Sequence, residues 1–193
     1  MTLTIFDFNI TPLKSFVNTF FKNFLHIFSA PGKNTNEVIV MQLTKKEELL
    51  VKDMKNAEKL CAEKYEKYAQ SANDAQLKTL CEEIAKTERG HYETLCDIEN
   101  GKTVMQGGQS GASPAQKSFT QTYDLADTDE KKHDLYITSD LLMTEKEASH
   151  LYDTCIFEFA QEPLRNALNH IQKEEQQHGK AIYDYMQKNN MYN

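Results

Sequence analysis

The stretch EIAKTERGHYETL, residues 83–95, puts Ile84, Glu88, His91 and Leu95 on one stripe of a helix, because side chains three and four apart share a face. A carboxylate and an imidazole thus interrupt an apolar seam, one turn apart. The interruption recurs in IQKEEQQHGKAI, residues 171–182, where Ile171, Glu175, His178 and Ile182 form the stripe. The two stretches match at an offset of 87, which also pairs Asp53 with Asp140, Glu58 with Glu145, Tyr65 with Tyr152, and Leu77 with Leu164. No gap is needed, so the chain holds an internal repeat of helical hairpins.

Working outward, four helical patterns carry the seams. The first reads Val51, Met54, Glu58, Cys61, Tyr65, Tyr68; the second reads Leu77, Cys81, Ile84, Glu88, His91, Leu95, Ile98. The third reads Leu141, Glu145, Ala148, Tyr152, Cys155; the fourth reads Leu164, Leu168, Ile171, Glu175, His178, Ile182, Tyr185. Thr44 followed by Glu47 has the form of a capping box that opens the first helix, which runs to about Ala72. The second covers about 75–99 and stops at Asn100-Gly101. The third is expected from near Ser139 to about Ala160, and the fourth from there to about Lys188, with Gln161-Glu162-Pro163 as the break between them.

The fold predicted is all-α, a four-helix bundle of two repeated hairpins joined by a long crossover linker. Residues 41–100 form the first hairpin, 101–138 a Gly/Ser/Gln-rich linker, and 139–193 the second hairpin. Together 41–193 make one domain. Residues 1–40 differ in character. FVNTFFKNFLHIF (16–28) is rich in Phe but interrupted by Lys22 and His26 and has no basic leader, which makes a poor signal peptide and a poor membrane span. The preferred reading is an extension ahead of a true start at Met41, with an amphipathic surface helix as the other.

Composition agrees with a helical, water-soluble chain: 39% hydrophobic, 26% charged, no Trp and only 7 Gly in 193 residues. A net charge of −7 without a Lys/Arg cluster excludes a general nucleic-acid binder, which needs a basic face for phosphates. The four cysteines, Cys61, Cys81, Cys96 and Cys155, contain no C-x-x-C pair. They are read as reduced thiols, most of them buried.

A Glu from each of two helices plus a Glu-x-x-His from each of the other two is the ligand set of a carboxylate-bridged dimetal site in a bundle core. The candidate ligands are Glu58, Glu88, His91, Glu145, Glu175 and His178. Four carboxylates buried together need cations or protons, and two divalent ions neutralise them. Oxygen- and nitrogen-rich ligation suits two iron ions, or manganese. Glu63, Glu147 and Glu174 lie off the seams and are expected to face solvent, as are His150 and His170. Tyr65 and Tyr152 are read as core aromatics, and Cys61 and Cys155 as small hydrophobes.

At these residues the sequence resembles ferritin-like proteins, and more narrowly the spore coat protein F family of endospore-forming bacteria. The stretch 139–192, with LNHIQKEEQQHGKAIYDYM as its most distinctive phrase, is similar to that family's domain, and 41–95 resembles its first helical pair. The resemblance implies a ferritin-like bundle and a role in the spore coat, with other coat proteins or further copies of the chain as partners. It implies synthesis in the mother-cell cytoplasm and then residence in the coat. Carried over position by position, the ferritin-like ligands fall on the same six residues. Such proteins include iron oxidases and peroxide reductases, so a di-iron oxidoreductase is the alternative. The rubredoxin-like module of rubrerythrins, with its C-x-x-C pairs, is missing here, so peroxide reduction would draw electrons from an external donor.

Overall fold

The structure is a computed structural model that describes residues 42–102 and 118–192. Four helices carry the described chain: α1 (Lys45–Ser71), α2 (Ala75–Glu99), α3 (Asp129–Ile156) and α4 (Glu162–Lys188). The expectations for residues 1–40, and the linker over 103–117, lie outside the described residues.

Three of the four helices start where the sequence supplies a side-chain partner for the free N–H groups of the first turn. At α1 the capping box is complete: Glu47 N donates to Thr44 Oγ1 at 3.3 Å and Thr44 N to Glu47 Oε2 at 2.7 Å. The other oxygen of Glu47 accepts Ala160 N at 3.0 Å, which ties the α3–α4 connection to the start of α1. Asp74 caps α2 through Gln76 N, at 2.8 Å. Gln161 gives α4 no side-chain cap, and Pro163 stands in its first turn, where its missing N–H costs nothing.

The start of α3 departs from the sequence expectation. It begins at Asp129, capped by Thr128, well ahead of Ser139, and it ends at Ile156 rather than Ala160. The added turns hide polar residues where apolar ones were sought. Lys131, Asp134 and Thr138 are buried, each on the heptad that continues through Leu141 and Glu145. Asp134 Oδ1 accepts Asn73 N at 2.9 Å, and its Oδ2 accepts Asp74 N at 2.9 Å and the Tyr123 hydroxyl at 2.7 Å. Lys131 Nζ donates to Asp124 O at 2.8 Å. Every one of these groups is satisfied, which is what makes burial tolerable.

Helix α1 packs chiefly against α2, and α3 against α4. Ion pairs Lys55–Glu99 and Glu66–Arg89 show that α1 and α2 run antiparallel. Between the pairs, the Tyr65 hydroxyl meets Glu145 while Tyr152 meets Glu58, so α1 and α3 also run antiparallel. On α4, Gly179 faces α3: a Cβ there would lie 3.6 Å from Glu145 Cβ, an ordinary van der Waals contact.

The apolar core falls into two clusters. One gathers Tyr65, Leu77, Leu80, Ile84, Ile137, Leu141, Ile182 and Tyr185. The other gathers Val51, Met54, Leu95, Ile98, Tyr152, Leu164, Leu168 and Ile171. Each cluster draws on all four helices, and full burial of each aliphatic side chain contributes about 1.5–3 kcal/mol. Between the clusters, along every helix, lies a polar layer. Among the described residues no helix is long and apolar enough to cross a membrane.

Candidate metal centre

The polar layer consists of Glu58 on α1, Glu88 and His91 on α2, Glu145 on α3, and Glu175 and His178 on α4. All six are at least 97% buried. Heptad spacing delivers them: each lies where the seam would otherwise continue with an apolar side chain, for example between Met54 and Tyr65 on α1. The six residues expected from the sequence as ligands are therefore brought together in one layer.

The two histidines face the carboxylates with the same nitrogen. His91 Nδ1 lies 3.0 Å from Glu175 Oε1, 3.4 Å from Glu58 Oε2 and 3.5 Å from Glu88 Oε2. His178 Nδ1 lies 2.9 Å from Glu88 Oε1, 3.4 Å from Glu145 Oε2 and 4.0 Å from Glu175 Oε2. Glu88 and Glu175 thus offer one oxygen to each histidine, whereas Glu58 serves only His91 and Glu145 only His178. The imidazole rings stack at 5.9 Å between centroids.

These atoms converge to ion-pair distance without hydrogen-bond geometry. Glu58 Oε2, both oxygens of Glu88 and of Glu175, Glu145 Oε2 and both Nδ1 atoms are buried and make no hydrogen bond. Buried polar atoms without partners are rare in folded proteins and ask for an explanation. Two overlapping groups have ligand atoms within 4.8 Å of one another and can hold a metal ion: Glu58, Glu88, His91, Glu175; and Glu88, Glu145, Glu175, His178.

The oxygens turned away from this convergence are accounted for. Tyr152 donates its hydroxyl to Glu58 Oε1, and Tyr65 donates to Glu145 Oε1. The repeat offset exchanges one bond for the other. These tyrosines were read as core aromatics, and they are fully buried, but their hydroxyls orient two of the acids. The seven-residue spacing from Glu58 to Tyr65 and from Glu145 to Tyr152 was the available signal.

Glu174 overturns an expectation. It does not face solvent; it is 5% exposed, and His91 Nε2 donates to its Oε2 at 2.9 Å. A helix at a bundle corner buries an arc wider than one seam, so the residue beside Glu175 is also enclosed. Glu63 and Glu147 are exposed as expected, and so are His150 and His170. Cys61 and Cys155 are buried free thiols, while Cys96 is half-buried.

Protons spread unevenly over the layer. Burial, and next the Glu88 carboxylate, pushes Glu58 up to about 8, and the same two causes raise Glu175 well above the usual carboxylate range. Burial also works against ionised Glu88, but the His178 and His91 imidazoles outweigh it and hold that acid well below its ordinary value. For His178, burial favours the neutral ring, yet the Glu145 and Glu88 carboxylates beside it raise it to about 10. A cluster that must collect protons to tolerate burial is one that divalent cations suit.

Residues 133–193, most of the second pair of helices, match the Coat F domain family. The matched span includes Glu145, Glu175 and His178, while Glu58, Glu88 and His91 lie ahead of it. No curated protein and no solved structure matches the chain.

Proposed function

We propose that this chain, carrying a Coat F domain over residues 133–193, is a spore coat protein built on a ferritin-like bundle that holds two metal ions. The bundle is read as two repeated hairpins. Its support is the reciprocal pair of Tyr–Glu bonds that the 87-residue offset interchanges, and the antiparallel meeting of α1 with α3. In such an arrangement the connection from Asn100 to Thr128 is a crossover, joining the Val51 end of the bundle to the Asp134 end.

The observation that carries the metal reading is the set of buried, unbonded oxygens and Nδ1 atoms. One ion would be held by Glu58 and His91, the other by Glu145 and His178, with Glu88 and Glu175 shared. Their donor set suits iron or manganese. Tyr152 and Tyr65 fix which oxygen of Glu58 and of Glu145 faces inward. The test is metal content of the full chain, loaded anaerobically with ferrous or manganous salt. About two ions per chain are expected for a site of this type, and none in a Glu88→Ala/Glu175→Ala variant. Absence of bound metal in the wild type would refute the reading. Coat proteins, or further copies of this chain, are its proposed partners, and mother-cell cytoplasm followed by the coat its proposed location.

A second reading, a dimetal oxidoreductase acting on O₂ or peroxide, is favoured by the phenols that touch Glu58 and Glu145. A bound iron pair would supply the redox chemistry; the tyrosines would hold the acids, and the apolar clusters on either side would keep bulk water out. Peroxide consumption faster than that of equal free iron would support it, and parity would remove it.

A further inference from the structure

The 87-residue repeat is broken at a position that touches His91 of the polar layer. Glu174 on α4 corresponds to Thr87 on α2. His91 Nε2 donates to the buried carboxylate of Glu174 at 2.9 Å, and Glu174 is approached from the surface by His170 Nε2 at 3.5 Å. His178 Nε2 is buried and makes no hydrogen bond. Thr87 is buried too, but its hydroxyl turns back to Glu83 O on its own helix, at 3.4 Å. The near nitrogens of the two rings have matching surroundings; the far nitrogens do not.

We propose that the two ion sites are unequal, and that Glu174 makes the His91 site the tighter one, filled before the His178 site. The inference rests on the metal reading above. A carboxylate accepting from Nε2 keeps the proton on that atom and leaves Nδ1 as a lone pair facing Glu58, Glu88 and Glu175. It also fixes the ring's rotation and makes Nδ1 a better donor to a cation; losing such a partner typically costs about 10–100-fold in metal affinity. His178 has neither aid. When its Nδ1 binds a cation, its buried Nε2–H stays without an acceptor, which weakens that state. Glu174 is a positioning residue here, since it reaches the ion through His91.

The test is a calorimetric titration of the full chain with Co²⁺. The wild type should take up cobalt in two steps separated by about 10–100-fold. His91→Ala should abolish the tight step and His178→Ala the weak one. Glu174→Thr, which makes the position like Thr87, should bring the tight step down to the weak one and leave the weak step unmoved. Should that variant fail to fold, Glu174→Gln keeps the shape without the charge and should lower the tight step alone. Two equal steps in the wild type, or a Glu174 substitution that weakens both steps alike, would overturn the inequality while leaving metal binding intact. No cobalt uptake by the wild type would overturn the metal reading and this inference with it.

Discussion

At the scale of single residues, the layer's chemistry lies in which atom each neighbour occupies. Tyr65→Phe removes the donor to Glu145 Oε1, and Tyr152→Phe the donor to Glu58 Oε1. Each leaves a buried oxygen unpaired, so each should cost about 1–3 kcal/mol in urea denaturation of the metal-free protein. A difference much larger than 1 kcal/mol between the two would contradict their equivalence. A pH dependence follows from the same residues. Glu58 is raised from 4.5 to about 8 and His178 from 6.5 to about 10. The stability Glu58 contributes is complete below 4.5 and lost as pH rises through about 8; that of His178 is complete below 6.5 and lost through about 10. The metal-free protein should therefore melt at progressively lower temperature from about pH 5 up to about pH 10. A melting temperature that climbed over that range would refute the proton distribution. Glu174 shows why these neighbours were hard to read. A periodic seam identifies what lies on a line, and a residue one step off it is enclosed only by the second helix of a corner.

The elements were legible where caps and apolar periods agreed. Thr44 with Glu47, the start of the second helix near residue 75 and its stop at Asn100 matched the structure to within a residue or two. The first turns of α3 were not, because Lys131, Asp134 and Thr138 occupy core positions with polar side chains whose partners come from distant segments. Only Tyr123, Asn73 and Asp74, once folded against it, make Asp134 a core residue. Asp134→Ala should accordingly cost about 3 kcal/mol, since two backbone N–H groups lose their acceptor. Chemical denaturation measures it; a change under 1 kcal/mol would mean that the segment before α3 holds its place by other means. In α2 the sign reverses. A Cβ on Gly90 would meet nothing within 4 Å, so Gly90→Ala should stabilise the protein by about 0.5–1 kcal/mol through helix propensity alone. Unchanged or reduced stability would indicate that the helix needs glycine beside His91.

For the whole molecule, metal inverts the pH response. Ligands must shed their protons to bind, so the loaded protein should gain over the metal-free one as pH rises and lose its ions below about pH 5. At neutral pH, ions at a hundred times their dissociation constant should add about 2.7 kcal/mol per site. A melting temperature indifferent to metal would refute the site. The polar layer also divides the apolar core into two clusters, each built from all four helices. Without ions, the layer between them is held by protons, the two phenol bonds, the His91–Glu174 bond and the four helices that run through it. The metal-free chain should then behave as two cooperative blocks about a soft waist. Amide exchange near Glu88 and Glu175 would proceed by openings that leave both ends folded. Loading with metal would close that waist and merge the blocks into one unfolding unit.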